Sequence, residues 1–394
     1  MRPIGAAATV FALALILSHS TLSTARPQKL DGQEIFRFDT FDDEQLWTDT
    51  LRLHEALETL TPATALAVGL KIDADALPPP VVASLGQLDV NDPLVTRRLL
   101  ELGAVVGVVA KVTGNRIKSV GVTCALCHST VDNSLGASVG RRLDGWPNLD
   151  LDVGTIASIA PGFPDALRGE FQQWGPGKYD PRHHVFDGTN ITFLNTPSLP
   201  VVIPPAYGLQ GVGFETFTGD GPISYWNSYV AVTQMGGHGN FSDPRIALSV
   251  TQKPDRVTPK LAALLAYQLS LAAPPPPVNF FNPAAAARGQ EVFNGVGRCS
   301  ECHIPPTYTD VLTGPSVPFL HAPSETDMDD RYADRSATKL YRTTPLRALW
   351  QHPPYFHDGS ATTLRAVVDH YAAALPLTLT EAQILDLVEF LKSL

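Results

Sequence analysis

Sulfur is scarce in this chain: its 394 residues include four cysteines and three methionines. Four thiols can serve one four-sulfur zinc site, two short-range disulfides, two redox dithiols or two points of covalent attachment. Positive charge is also short, with 29 Lys and Arg against 39 Asp and Glu and a net charge of -10, which argues against nucleic acid or an anionic membrane as partner. Beyond the N-terminus no segment approaches the length needed to span a bilayer. The one apolar run, Ile4 to Leu17, follows Arg2 and leads to small residues near Ser23 and Ala25. That pattern predicts a secretory signal over residues 1–25, cut after Ala25, and an exported protein with no membrane span.

Hydrophobic residues, at 44%, are enough for two or three domains. The 34 prolines and 30 glycines exceed ordinary usage and lie mostly between apolar segments, as in a loop-rich chain pinned around cofactors.

The cysteines form two identical pairs, each followed by histidine: Cys124-Ala-Leu-Cys127-His128 and Cys299-Ser-Glu-Cys302-His303. Cys-x-x-Cys-His is the attachment pattern of c-type haem, in which two thiols bond the vinyl groups and the neighbouring imidazole reaches the iron. A zinc cluster usually draws its pairs from one compact stretch, whereas these pairs are far apart and histidine follows both. The expectation is two covalently bound haem c groups, anchored by Cys124, Cys127, Cys299 and Cys302, with His128 and His303 as iron ligands. Attachment of this kind takes place outside the bacterial cytoplasmic membrane. Signal and motifs therefore agree on a periplasmic location.

The chain is expected to be all-α: two tandem class I cytochrome c-like haem domains, loop-rich, with an N-terminal helical extension. Residues 26–90 form the extension, where Phe41, Leu46, Trp47, Leu51, Leu57 and Leu60 recur at roughly helical spacing. Residues 91–273 form the first haem domain. It opens with Asp92-Pro93 as N-cap and first helical position, on a helix running toward the first motif. Residues 274–282 are a Pro-rich linker. Residues 283–394 form the second haem domain, in which a helix carrying Gly289 and Phe293 is expected to cross a final helix capped by Thr380 and Gln383.

The segment Thr344-Pro-Leu-Arg347-Ala348-Leu-Trp-Gln-His352-Pro-Pro-Tyr355-Phe356-His357-Asp358-Gly359-Ser360, continuing to Asp369-His370-Tyr371, resembles the C-terminal signature of bacterial dihaem cytochrome c peroxidases. Ala348 departs from it, since asparagine commonly follows the Leu-Arg pair. The first domain matches in fragments: Asn195-Thr-Pro197-Ser198-Leu199, Gly219-Asp220-Gly221 in place of Trp-Asp-Gly-Arg, and Gln234-Met235 in place of Glu-Met, around a long insertion.

The resemblance implies a periplasmic protein with an electron-accepting second haem and a reactive first one. Gln234 then takes the distal place where the peroxidases use a glutamate to move a proton on peroxide. Candidate sixth ligands at the first haem are Met235 or His238. At the second haem Tyr371 stands near the position of the family's methionine, with Met328 or His370 as alternatives. Arg347 is expected at a haem propionate, as are Arg141, Arg142 and Trp146 with less support, and Trp146 or Trp174 between the haems. Asp327, Asp329 and Asp330 are candidates for a calcium ion known in the family.

The function expected is one-electron transfer with a small cytochrome or cupredoxin as donor or acceptor. The alternatives are a hydrogen-peroxide reductase and an oxidase acting on an organic or protein substrate. Whether the chain is an enzyme stays open at this level.

Overall fold

Asp31 accepts hydrogen bonds from the Gln33 and Glu34 amides, which caps the helix Gly32–Phe38. The computed structural model describes residues 30–194, 197–313 and 319–394. The expected signal segment, residues 1–25, lies outside the described residues, as do Asn195 and Thr196 of the Asn-Thr-Pro-Ser-Leu segment. No helix among the described residues is long and apolar enough to cross a membrane.

The expectation of an all-α chain is overturned: the protein is 39% helical and 15% strand, with seven two-stranded sheets among the described residues. The main cause lies just ahead of the first motif. The helix Pro93–Glu101 forms as expected, with Asp92 capping the Leu94 amide, but it does not run on toward Cys124. Instead Val108–Thr113 pairs antiparallel with Arg116–Val122. The β-branched residues of this stretch favour a pleated backbone, and Gly114, at φ 60°, supplies the turn. The motif therefore follows a strand.

The N-terminal extension is built into this hairpin. Thr48 accepts from the Val120 amide and donates to its carbonyl, both at 2.8 Å, and the buried Asp43 carboxylate accepts the Val122 amide. Phe36 packs on Tyr267 of the helix Leu261–Ser270, with ring centroids 5.6 Å apart. Two single π-turns face inward, Gln45–Thr50 and Val230–Gln234. They are tied together by Trp47 Nε1 donating to the Met235 carbonyl at 2.9 Å and by Gln45 Nε2 donating to the Gly236 carbonyl at 2.7 Å. Isolated π-turns of this kind concentrate at functional sites.

Many of the buried apolar residues group in two clusters, one spanning Ile35 to Leu264 and one spanning Val292 to Leu391. In the second, the helix Pro283–Asn294 crosses the final helix Glu381–Ser393, as its small residues and the capping box at Thr380 and Gln383 predict. Phe293 meets Phe390 edge-on at 5.1 Å. Gly289 lies against the Asp386 carbonyl, and a methyl group there would overlap it. Gly289→Ala is expected to cost about 1–3 kcal/mol through overpacking, read as a lowered midpoint in denaturant unfolding.

Candidate functional site

Thr123 joins the hairpin to Cys124, and one helical turn, Ala125–His128, sets the two thiols and the imidazole of the first motif on a common cavity. The cavity measures about 1760 Å³, including its part open to solvent. His128 Nδ1 lies 3.1 Å from the Pro204 carbonyl oxygen, so Nδ1–H donates there and Nε2 is left with its lone pair. Burial pulls this imidazole down to about 4, which keeps it neutral near pH 7, and pushes both thiols up to about 12. The second motif shares one feature with the first, although its cysteines sit on a 3-10 turn, Cys299–Glu301. His303 Nδ1 lies 2.9 Å from the Tyr308 carbonyl oxygen, so a backbone carbonyl orients this imidazole too.

A neutral imidazole oriented by a backbone carbonyl, next to two unpaired thiols on an apolar cavity, suits a covalently held iron porphyrin. The other readings of the cysteines fare worse. All four thiols are free, and the two pairs do not converge. Among the described residues the only close set of metal-ligating side chains that includes a cysteine is Cys302, Asp310 and His321.

On the wall of the first cavity lie Gln234 and Met235, from the second π-turn and its cap. Gln234 is 4% exposed, and its amide is committed at both ends. Oε1 accepts from Tyr179 at 2.9 Å, while Nε2 donates to the His184 carbonyl at 2.9 Å and to Thr233 Oγ1 at 3.0 Å. His238, the other expected candidate, does not line this cavity, and its Nδ1 bonds the Pro254 carbonyl at 2.7 Å. Glu215 lines the same cavity, with Oε2 accepting from Arg342 at 2.8 Å and Oε1 unpartnered. Burial outweighs the neighbouring guanidinium and holds this carboxyl above its usual range.

Sequence reasoning missed His184 and Tyr179, which also line this cavity. Burial, with His183 adding to it, lowers His184 to about 4, and its Nδ1 has no partner. Their signal was a His-His pair, His183-His184, within the segment read as an insertion.

Other expected residues scatter. Arg141 is exposed, and Arg142 is buried in an ion pair with Asp73 at 2.9 Å. Neither lines the cavity. Arg347 donates to the Gln210 carbonyl at 3.3 Å. Trp174 is part of the cavity wall. Trp146 lies edge-on to Trp350, from the other side of the Pro-rich stretch, at 5.7 Å.

Around the second motif, burial and the neighbouring Cys299 and Cys302 raise the Tyr371 phenol to about 12. His370 is engaged by the Thr326 carbonyl at 2.8 Å, and Met328 is half-buried, its amide bonded to Pro323. Asp327, Asp329 and Asp330 do not gather into a three-ligand cluster, and Asp329 pairs with Arg331.

No family model matches the chain. Over 126 residues it is 31% identical to the methylamine utilization protein MauG of Methylorubrum extorquens, covering 28% of this chain and 35% of that protein. Over 188 residues it is 28% identical to the cytochrome-c peroxidase IdrP1 of Denitromonas iodatirespirans, covering 35% of this chain and 50% of that protein. The chain thus spans between a third and a half of the length of these curated relatives. A crystal structure of a MauG-like protein associated with microbial copper homeostasis aligns at a TM-score of 0.38 and 19% identity, over 51% of this chain and 74% of that one. That score is too low to define a shared fold. Over these stretches the chain is similar to MauG and to a cytochrome-c peroxidase, and that likeness, with the paired Cys-x-x-Cys-His motifs, supports a dihaem cytochrome c peroxidase-like family and c-type haem binding.

Proposed function

We propose that the chain is an exported, periplasmic cytochrome with two haem c groups that passes single electrons to or from a small cytochrome or cupredoxin. Bound haem supplies the one-electron couples. Cys124 and Cys127, and likewise Cys299 and Cys302, act as the anchors. His128 and His303 act as the proximal iron ligands, each oriented by a backbone carbonyl at Nδ1. Met235 is the candidate sixth ligand at the first site, and Tyr371 or Met328 at the second, with Arg347 at a propionate. The net charge of -10 favours a basic partner surface.

The observation that carries this reading is the state of Gln234. Its amide is saturated by Tyr179, His184 and Thr233, so the position where proton transfer to peroxide needs a carboxylate holds a group that does not exchange protons near pH 7. A second reading, hydrogen-peroxide reduction, draws on Glu215, whose unpartnered Oε1 and raised carboxyl pKa suit a proton donor on the same cavity wall.

Electronic and paramagnetic resonance spectra in both redox states decide between the two. Electron transfer predicts two low-spin centres that peroxide leaves unchanged. A high-spin centre with rapid peroxide consumption overturns it. Gln234→Glu is expected to raise peroxide turnover about tenfold with a reduced donor, because it installs an exchangeable proton beside Tyr179. Unchanged turnover in a correctly folded variant would count against Gln234 as the limiting group.

A further inference from the structure

A second cavity, about 1180 Å³ including its open part, lies between the N-terminal extension, the helix Pro93–Glu101 and the hairpin. Protein interiors are close-packed, and voids much larger than a water molecule are few. The part of this space that lies within the fold is left unfilled by side chains and has room for an occupant. Leu57, Leu70, Leu99, Leu100 and Val105 form much of its wall, and no charged side chain lines it. The one side-chain polar group on the wall is Thr96, 3% exposed. A helical threonine hydroxyl can bond back to the preceding turn, yet Thr96 Oγ1 has no hydrogen-bond partner. An unpaired hydroxyl in an apolar setting is costly, and the natural remedy is a partner carried by a ligand. Exposed Gly86 and Val90 mark the opening to solvent. Val122, Leu126 and Ile156 line this cavity and the first one alike, and Leu126 stands between the two cysteines of the first motif.

We infer that this cavity is a binding site for an uncharged, mainly hydrocarbon molecule bearing one oxygen that pairs with Thr96. An ionised ligand is excluded by the lack of any charge to receive it. Because three side chains form the wall shared with the first cavity, an occupant here sits next to the first haem site without entering it. The inference does not depend on whether the protein carries electrons or reduces peroxide.

The test is calorimetric titration of the haem-loaded protein with 1-octanol and with octanoate at pH 8. Octanol is expected to bind saturably at one site, and octanoate at least about tenfold more weakly, since a buried carboxylate finds no partner. Thr96→Val keeps the shape of the wall and removes the hydroxyl, and it should weaken octanol about three- to tenfold. Ala65→Phe fills the space from the helix Pro62–Ala67 and should abolish binding. Absence of octanol binding to the unaltered protein, octanoate binding as tightly as octanol, or full affinity in Thr96→Val would each overturn the proposal. So would octanol binding that survives in folded Ala65→Phe. If Ala65→Phe does not fold, the Thr96→Val and octanoate results decide alone.

Discussion

Replacing Cys124 and Cys127 together by serine will halve the covalent haem on the chain, from two groups to one, in acid-denatured, acetone-extracted protein matured through the export pathway. Serine oxygen does not form the thioether that holds the porphyrin, and His128 alone gives a bond that acid breaks. The Cys299 and Cys302 double variant will show the same halving with loss of the other set of spectral features. His128→Ala, in contrast, will keep its haem through denaturation and lose only the low-spin signature of the first site. Stability will fall with the first pair too. The cavity of about 1760 Å³ is walled by Leu46, Trp47, Phe171 and Trp226, whose inward faces are left without packing partners when the porphyrin is not retained. Covalent haem unchanged in either double variant would remove the basis for assigning the motifs.

Asp220→Ala will destabilise the protein by about 3–5 kcal/mol, the cost of leaving a buried charge unpaired. The Asp220 side chain has no exposure, and its carboxylate accepts from the Arg182 guanidinium and from Thr218. It also accepts the Ala337 amide at 2.6 Å, so one side chain links the Thr218–Asp220 loop to the segment after Arg335. Arg182 lies between the rings of Trp226 and Tyr332, 5.6 Å from each centroid, and donates to the Arg335 carbonyl. Arg335 in turn pairs with the fully buried Asp180 at 3.1 Å. Removing Asp220 therefore strands a guanidinium that cannot reach water. Asp220→Asn retains acceptor geometry and should cost less. Urea unfolding of the haem-loaded protein measures both, and a loss below about 1 kcal/mol for the alanine variant would mean that Arg182 finds another partner.

Features encoded within a few residues were legible in the chain. Asp92 caps the helix Pro93–Glu101 with Pro93 at its first position, as the Asp-Pro pair predicts. Thr380 and Gln383 cap the final helix reciprocally, as their order predicts. Gly289 marks a close crossing because only a residue without a side chain admits a neighbouring backbone so near. The departure at Ala348 also has a local reading. Its φ of 47° is left-handed, where asparagine fits more easily than alanine, so this position carries some backbone strain.

The hairpin from Val108 to Val122 was less accessible, because the helix before it and the haem motif after it suggested continuous helix and the alternation is blurred by burial on both faces near Val120 to Val122. Arg142 looked like a solvated or propionate-binding arginine, yet Asp73, sixty-nine positions earlier, takes it into the interior.

The sequence alone determined the spacing on which the c-type haem reading rests, because two thiols and the adjacent imidazole fall within five consecutive positions at each motif. Tertiary structure alone decided what surrounds those anchors. His184, Tyr179, Gln234 and Trp47 come from segments far apart in the chain and are brought together by burial and by hydrogen bonds to distant carbonyls, which no local pattern of residues records.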